Sequence, residues 1–255
     1  MVDWQAVNAA IWRPARQQLR PVKRVDPITL DQLLGVERQK ALLQENTEAF
    51  LQRKPSNNTL LWGARGTGKS SLIKALLNRY HPQGLRVIQV EREDLWQLPE
   101  IVDAVCDRDF HFIIYSDDLS FEQGEAGYRA LKSVLEGSIE IPPDNVRIYA
   151  TSNRRHLLPE KMSDNLDSAL VGGEIHHSDS VEERISLSDR FGLSLSFYPL
   201  AMETYLNIVD TLFGDFDGDR EALHRLAMRF TIERGSKSGR TARSFYNRYA
   251  SRFGE

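Results

Sequence analysis

One octapeptide constrains this chain more than any other feature. Gly63-Ala64-Arg65-Gly66-Thr67-Gly68-Lys69-Ser70 is a complete G-x-x-x-x-G-K-[ST]. Glycines at this spacing let backbone N–H groups turn inward around an anion with no Cβ in the way, and a helix starting at the loop's end adds its positive N-terminus. The residues before it, Thr59-Leu60-Leu61-Trp62, read as a short buried strand, and residues 70–80 after it run at helical spacing. Strand, glycine loop and helix in that order separate a phosphate loop from a chance glycine turn. In such a loop Lys69 reaches the outer phosphates and the Ser70 hydroxyl is a magnesium ligand.

Downstream, short apolar runs alternate with helix-period segments. Residues 85–90, 110–115, 146–150 and 193–197 read as strands, and 95–105 and 126–135 as helices. With the strand before the glycine loop that makes five, and the alternation implies a parallel sheet sandwiched between helices. Upstream, Leu30, Leu33 and Leu34, then Leu42, Leu43, Phe50 and Leu51, recur at mostly helical spacing and predict helices around Gly35. Past Pro199 the strand signals stop, and 204–213, 220–232 and 241–253 read as helices. The expected organisation is a lead segment over 1–28, an α/β nucleotide-binding domain over 29–199 and a helical lid over 200–255. Residues 157–186 are polar, contain glycine and show no period, as in a long loop or insertion.

Three further places carry chemistry. Phe112-Ile113-Ile114-Tyr115-Ser116-Asp117-Asp118 delivers two carboxylates at the C-terminal end of a buried strand, the ligand-binding edge of an open parallel sheet. There Asp117 suits magnesium held through water, and Asp118 suits the attacking water, which it would orient or deprotonate. In Tyr149-Ala150-Thr151-Ser152-Asn153 a strand ends in small polar groups, and Asn153 can hold a water or a phosphate without repelling the anion. Two arginine sites, Ser188-Asp189-Arg190-Phe191-Gly192 and Ser238-Gly239-Arg240-Thr241-Ala242-Arg243, offer guanidinium forks for developing phosphate charge. By themselves such arginines are more often structural ion-pair partners, and Ser-Asn after a strand is an ordinary turn.

These pieces, in this order, resemble the AAA+ ATPases over about residues 28–253. The resemblance implies that Gly63, Ala64, Arg65, Gly66, Thr67, Gly68, Lys69, Ser70 and Ser71 form the nucleotide cradle. Val36, in Leu34-Gly35-Val36-Glu37, falls in the segment that contacts adenine. Lys69 matches the Walker A lysine, Asp117 the first Walker B carboxylate, Asn153 sensor 1, Arg190 the arginine finger and Arg240 sensor 2, with Arg243 a second candidate. Asp118 stands where many AAA+ enzymes carry Glu, so its carboxylate has to reach the water from one methylene further back; Glu122 is a nearby substitute. Within the superfamily the sequence is most similar to a bacterial family of AAA+-like ATP-binding proteins carrying a domain-of-unknown-function label. The stretches that carry this likeness are residues 115–122, 151–155 and 187–193. The Asp117-Asp118 pair and Arg190-Phe191-Gly192 also look like the replication-initiator and helicase-loader branch. The resemblance implies ATP and Mg²⁺ as cofactors, ATP hydrolysis as the activity and a homo-oligomer, by analogy a hexamer, with Arg190 acting on the neighbouring subunit's nucleotide.

Composition narrows the client but does not name it. A net charge of −3 argues against a generally basic nucleic-acid coat, although Arg13, Arg16, Arg20, Lys23 and Arg24 form a local basic run. That run reads more simply as a solvated face or a packed arm than as a phosphate contact. No window approaches the ~18 apolar residues that span a membrane, and the first ten residues lack a signal-peptide pattern, so a cytoplasmic setting is expected. His176-His177 lacks the spaced partners of a zinc site, and Trp96 reads as a side chain packed on a helix. The rival reading is an ATP-dependent switch, adaptor or loader on DNA or a protein complex that binds tightly and hydrolyses little. A small-molecule kinase would need a second substrate pocket.

Overall fold

The computed structural model describes residues 2–121, 125–136, 142–155, 157, 170–171, 174–175 and 187–253. In chain order the strands are β1 (Ala9–Arg13), β2 (Gln18–Pro21), β3 (Thr59–Gly63), β4 (Leu85–Gln89), β5 (His111–Ser116), β6 (Val146–Ser152), β7 (Leu170–Val171), β8 (Glu174–Ile175) and β9 (Leu193–Phe197). The helices are α1 (Glu37–Leu51), α2 (Lys69–Tyr80), α3 (Leu98–Asp103), α4 (Ala126–Glu136), α5 (Met202–Phe213), α6 (Arg220–Arg234) and α7 (Gly239–Phe253). β7 and β8 pair only with each other, in the 157–186 stretch, most of which, His176-His177 included, lies outside the described residues.

The main sheet has seven strands, not five, in the order β2-β1-β4-β5-β6-β3-β9. The five expected strands form its contiguous parallel body. The two extra ones come from residues 9–21, where β1 adds parallel to β4 and β2 folds back antiparallel on β1. β1 escaped a sequence reading because only five residues carry it and they do not alternate: Ala9, Ala10 and Trp12 are all buried. The basic run finds its place here too. Arg16, Arg20, Lys23 and Arg24 are exposed on or beside edge strand β2, where charge blunts an unpaired strand edge.

Layers form because successive strand side chains point to opposite faces. On one face Leu61, Ile113 and Tyr149 meet Leu43 and Phe50 of α1 and Leu72, Ile73 and Leu76 of α2. On the other Leu60, Phe112, Ile114 and Ile148 meet Ile101 and Val102 of α3 and Tyr128 and Leu131 of α4. The C-terminal helices α5–α7, the segment expected to form a lid, have a separate core of Tyr205, Val209, Leu223, Phe230, Phe245 and Tyr249. Asp219 caps α6 through its side chain, accepting from the Ala222 N–H at 2.9 Å.

Two local expectations fail. Residues 30–36 form an irregular segment rather than a helix, with Gly35 at φ +77°, while Leu33 and Val36 still reach the core. Trp96 is 51% exposed in a short 3-10 segment after β4, not packed away. Among the described residues no helix is long and apolar enough to cross a membrane.

Candidate functional site

Parallel pairing brings the C-terminal ends of β3, β5 and β6 to one edge, where the chemistry-bearing residues gather. β3 ends at Gly63, the loop turns through Gly66 at φ +76° and Gly68 at φ +97°, and α2 starts at Lys69. The loop is tied to itself: the Thr67 hydroxyl donates to the Ala64 carbonyl at 2.8 Å. Lys69 Nζ donates to the carbonyls of Gly63 and Ala64, each at 2.8 Å, and to Asn153 Oδ1 at 3.3 Å. Burial lowers the Lys69 pKa, opposed by the nearby charges of Asp117 and Asp118. An ammonium held mainly by neutral carbonyls keeps its charge available to an arriving anion.

The carboxylates are organised by β6. The Thr151 hydroxyl donates to Asp117 Oδ1 and accepts the backbone N–H of Asp118 at 2.9 Å. Ser70 Oγ also donates to Asp117 Oδ1, at 2.8 Å. Asp118 has φ +52°, in the left-handed region, and its carboxylate accepts from the Asn153 amide. Burial alone would raise the Asp117 pKa, but the donors around it, Thr151 and Ser70 foremost with smaller contributions from Tyr115 and the Asp118 N–H, outweigh it and hold the carboxyl below its usual range. A hard carboxylate beside a serine hydroxyl and a phosphate loop is a donor set that fits magnesium, which takes few protein ligands and keeps its waters. Sequence reading passed over Thr151, and only its position on β6 opposite the aspartates reveals it.

A test of this geometry follows from Thr151, which is 1% exposed. Thr151→Val keeps the shape but removes a donor from Asp117 and the acceptor of the Asp118 N–H, at a cost of about 1–3 kcal/mol in stability. A carboxyl depressed in the folded state adds stability above its unfolded pKa and loses it as pH falls through the folded pKa. The variant raises that folded pKa. Its acid unfolding, and the acid limb of any cation-dependent nucleotide binding, therefore move to higher pH, as titration by circular dichroism and calorimetry would read.

These groups open onto a cleft of about 990 Å³ between the α/β domain and the lid. Arg65, Gly66, Thr67, Gly68, Lys69, Ser70, Ser71, Asp117, Asp118, Asn153 and Val36 all line it, and Arg240 and Arg243 face them from α7. Gly63 and Ala64 sit behind the loop and supply the carbonyls that hold Lys69. Its apolar lining comes from Ile28, Leu33, Val36, Leu200, Ile208 and Leu212. The last three are a contribution of the lid that helical periodicity alone does not distinguish from core. The two walls touch where glycine is required. A Cβ on Gly35 would lie 2.6 Å from the Thr204 methyl carbon, and one on Gly66 would lie 2.8 Å from Ser238 Oγ, both at positive φ. Arg190, unlike the other predicted catalytic residues, does not line the cleft, and it pairs with Glu136 at the end of α4. Glu122 lies outside the described residues.

A family model described as "Protein of unknown function (DUF815)" matches residues 5–253. No curated protein matches the sequence. Among solved structures, a chain of the HORMA:CdnC:Trip13 complex of E. coli MS115-1 is similar over 86% of this chain and 90% of its own, with TM-score 0.53 and 12% identity. Thermotoga maritima RuvB, described as a Holliday junction branch migration motor, is similar over 86% of this chain and 71% of its own, with TM-score 0.50 and 13% identity. A variant of the same RuvB gives TM-score 0.51 at 14% identity, over 86% and 72%. At these identities the likeness establishes the fold alone: a mostly parallel α/β sheet flanked by helices.

Proposed function

The chain belongs to the family described as "Protein of unknown function (DUF815)", and for it we propose a Mg²⁺-dependent, ATP-binding and ATP-hydrolysing AAA+ protein of the bacterial cytoplasm that couples nucleotide state to the assembly or remodelling of a client. One observation carries this reading. The phosphate loop, the Asp117-Asp118 pair, Asn153 and Arg240 come from four separate stretches of chain and line one cleft.

Each group has a task its geometry suits. The loop N–H groups and Lys69 cradle the phosphates, and Val36 with Leu200, Ile208 and Leu212 encloses the base. Ser70 and Asp117 hold magnesium, which supplies positive charge for the phosphate oxygens. Asp118, steadied by Asn153, orients the attacking water. Arg240 lines the cleft from the C-terminal helices, so closure on nucleotide would bring its guanidinium onto the outer phosphate. Arg190, outside its own cleft, acts in trans on a neighbouring subunit's nucleotide. The deciding experiment is steady-state ATP hydrolysis with Mg²⁺ across protein concentration. Turnover per subunit rises as subunits assemble; tight binding with negligible turnover at every concentration would sink the hydrolytic reading.

A second reading, a nucleotide switch or loader acting on DNA or a protein complex, gains support from Asp118. Its side chain is short and already engaged by Asn153. The similarity of Asp117-Asp118 and Arg190-Phe191-Gly192 to the helicase-loader branch points the same way. The left-handed backbone at Asp118 supplies a reason for aspartate here, because Asp tolerates positive φ better than a longer acid. Asp118→Glu is therefore expected to cost about 1 kcal/mol of stability and not to raise turnover, as melting and ATPase assays would read. A large gain in turnover would mean that reach limits the wild type, and would favour the switch.

A further inference from the structure

Tyr115 is 5% exposed, and its buried hydroxyl has no hydrogen-bond partner. β5 carries it two residues ahead of Asp117, on the sheet face beneath α2. The phenol oxygen faces Ser70, Asp117 and Thr151 without meeting hydrogen-bond geometry to any of them. Were Tyr115 there only to fill space, phenylalanine would pack equally well and leave no polar atom stranded. A stranded donor beside two hydroxyls that already share one carboxylate oxygen marks a network waiting for its last member.

We propose that Tyr115 is a positioning residue of the divalent-cation site, donating its hydroxyl to Asp117 when Ser70 turns its oxygen toward the ion. The proposal rests on the magnesium reading of Ser70 and Asp117. Tyr115 replaces the donor that Ser70 withdraws, so the carboxylate keeps two donors and its plane stays fixed toward the cation. The neighbouring Ser116 provides an internal control. It is also buried and unpartnered, but strand alternation turns it to the opposite face of the sheet.

The test uses the full chain with ADP and Mn²⁺ as an electron-paramagnetic stand-in for magnesium. Tyr115→Phe is expected to weaken Mn²⁺ binding to the ADP complex about tenfold, the worth of one hydrogen bond to a charged acceptor. ADP affinity in EDTA stays as in the wild type, the melting temperature of the free protein does not fall, and Ser116→Ala leaves Mn²⁺ binding unchanged. Unaltered Mn²⁺ affinity in Tyr115→Phe overturns the proposal, as does a loss of ADP affinity equal with and without cation. If the wild type itself shows no cation dependence, the magnesium reading falls and takes the role of Tyr115 with it.

Discussion

Arg190→Ala is expected to bind ATP as tightly as the wild type and to lose the rise in turnover with protein concentration. The expectation follows from position. Arg190 is absent from the cleft that its own chain builds, while every other predicted site residue either lines that cleft or supports its loop. A guanidinium that completes a neighbour's site can be worth about 10³–10⁵ in the rate of phosphoryl transfer and nothing in ground-state binding. In the single subunit Arg190 is paired with Glu136 on α4, so to reach another subunit it has to give up that partner. Glu136→Gln would weaken the hold and should leave assembled turnover at least as high as in the wild type. Equilibrium ATP binding, sedimentation and the ATPase concentration series together check this. Binding lost along with hydrolysis in a folded Arg190→Ala would place Arg190 in its own chain's site and sink the trans reading.

How far the sequence could reveal this arrangement depended on whether its signal was local. The octapeptide 63–70 sits between an apolar strand and a helix, and all its consequences lie within 20 residues, so strand β3, the loop and α2 could be read directly. The ends of β5 and β6 were legible for a related reason: apolar runs stopping at Asp117 and Asn153 are short-range signals. Thr151 was not, because a threonine in a strand is ordinary until its hydroxyl is seen bridging Asp117 and the Asp118 N–H across the β5–β6 pair. Ile208 and Leu212 look like lid core at i, i+4, and only the docking of the lid turns them toward the cleft. β1 was hidden by brevity and by burial of neighbouring residues. The missing helix before Gly35 shows the reverse error: Leu30, Leu33 and Leu34 match a helical period, but the core contacts of Leu30 and Leu33 are satisfied by an irregular chain. Periodicity registers burial, and burial does not require a helix.

The largest loss should come from Lys69→Ala. Nζ places three donors on the Gly63 and Ala64 carbonyls and Asn153 Oδ1, which makes it the cation at the centre of the loop and the only one linking the loop to β6 among the described residues. Truncating one partner of a desolvated, hydrogen-bonded charge pair costs about 2–5 kcal/mol, or roughly thirtyfold to several-thousandfold in nucleotide affinity. Turnover falls further, because the same charge is needed most as the outer phosphate leaves. Lys69→Arg should not restore it: three rotatable donors on a compact ammonium match three diverging acceptors, and a planar guanidinium fork does not. Folding should survive, since burial already disfavours the charge that the substitution removes. Calorimetry with ATP and the ATPase assay on a variant with a wild-type circular dichroism spectrum check this. Nucleotide affinity within a few-fold of wild type in Lys69→Ala would mean that the glycine loop is not the phosphate site, and the assignments of Ser70, Asp117 and Arg240 would fall with it.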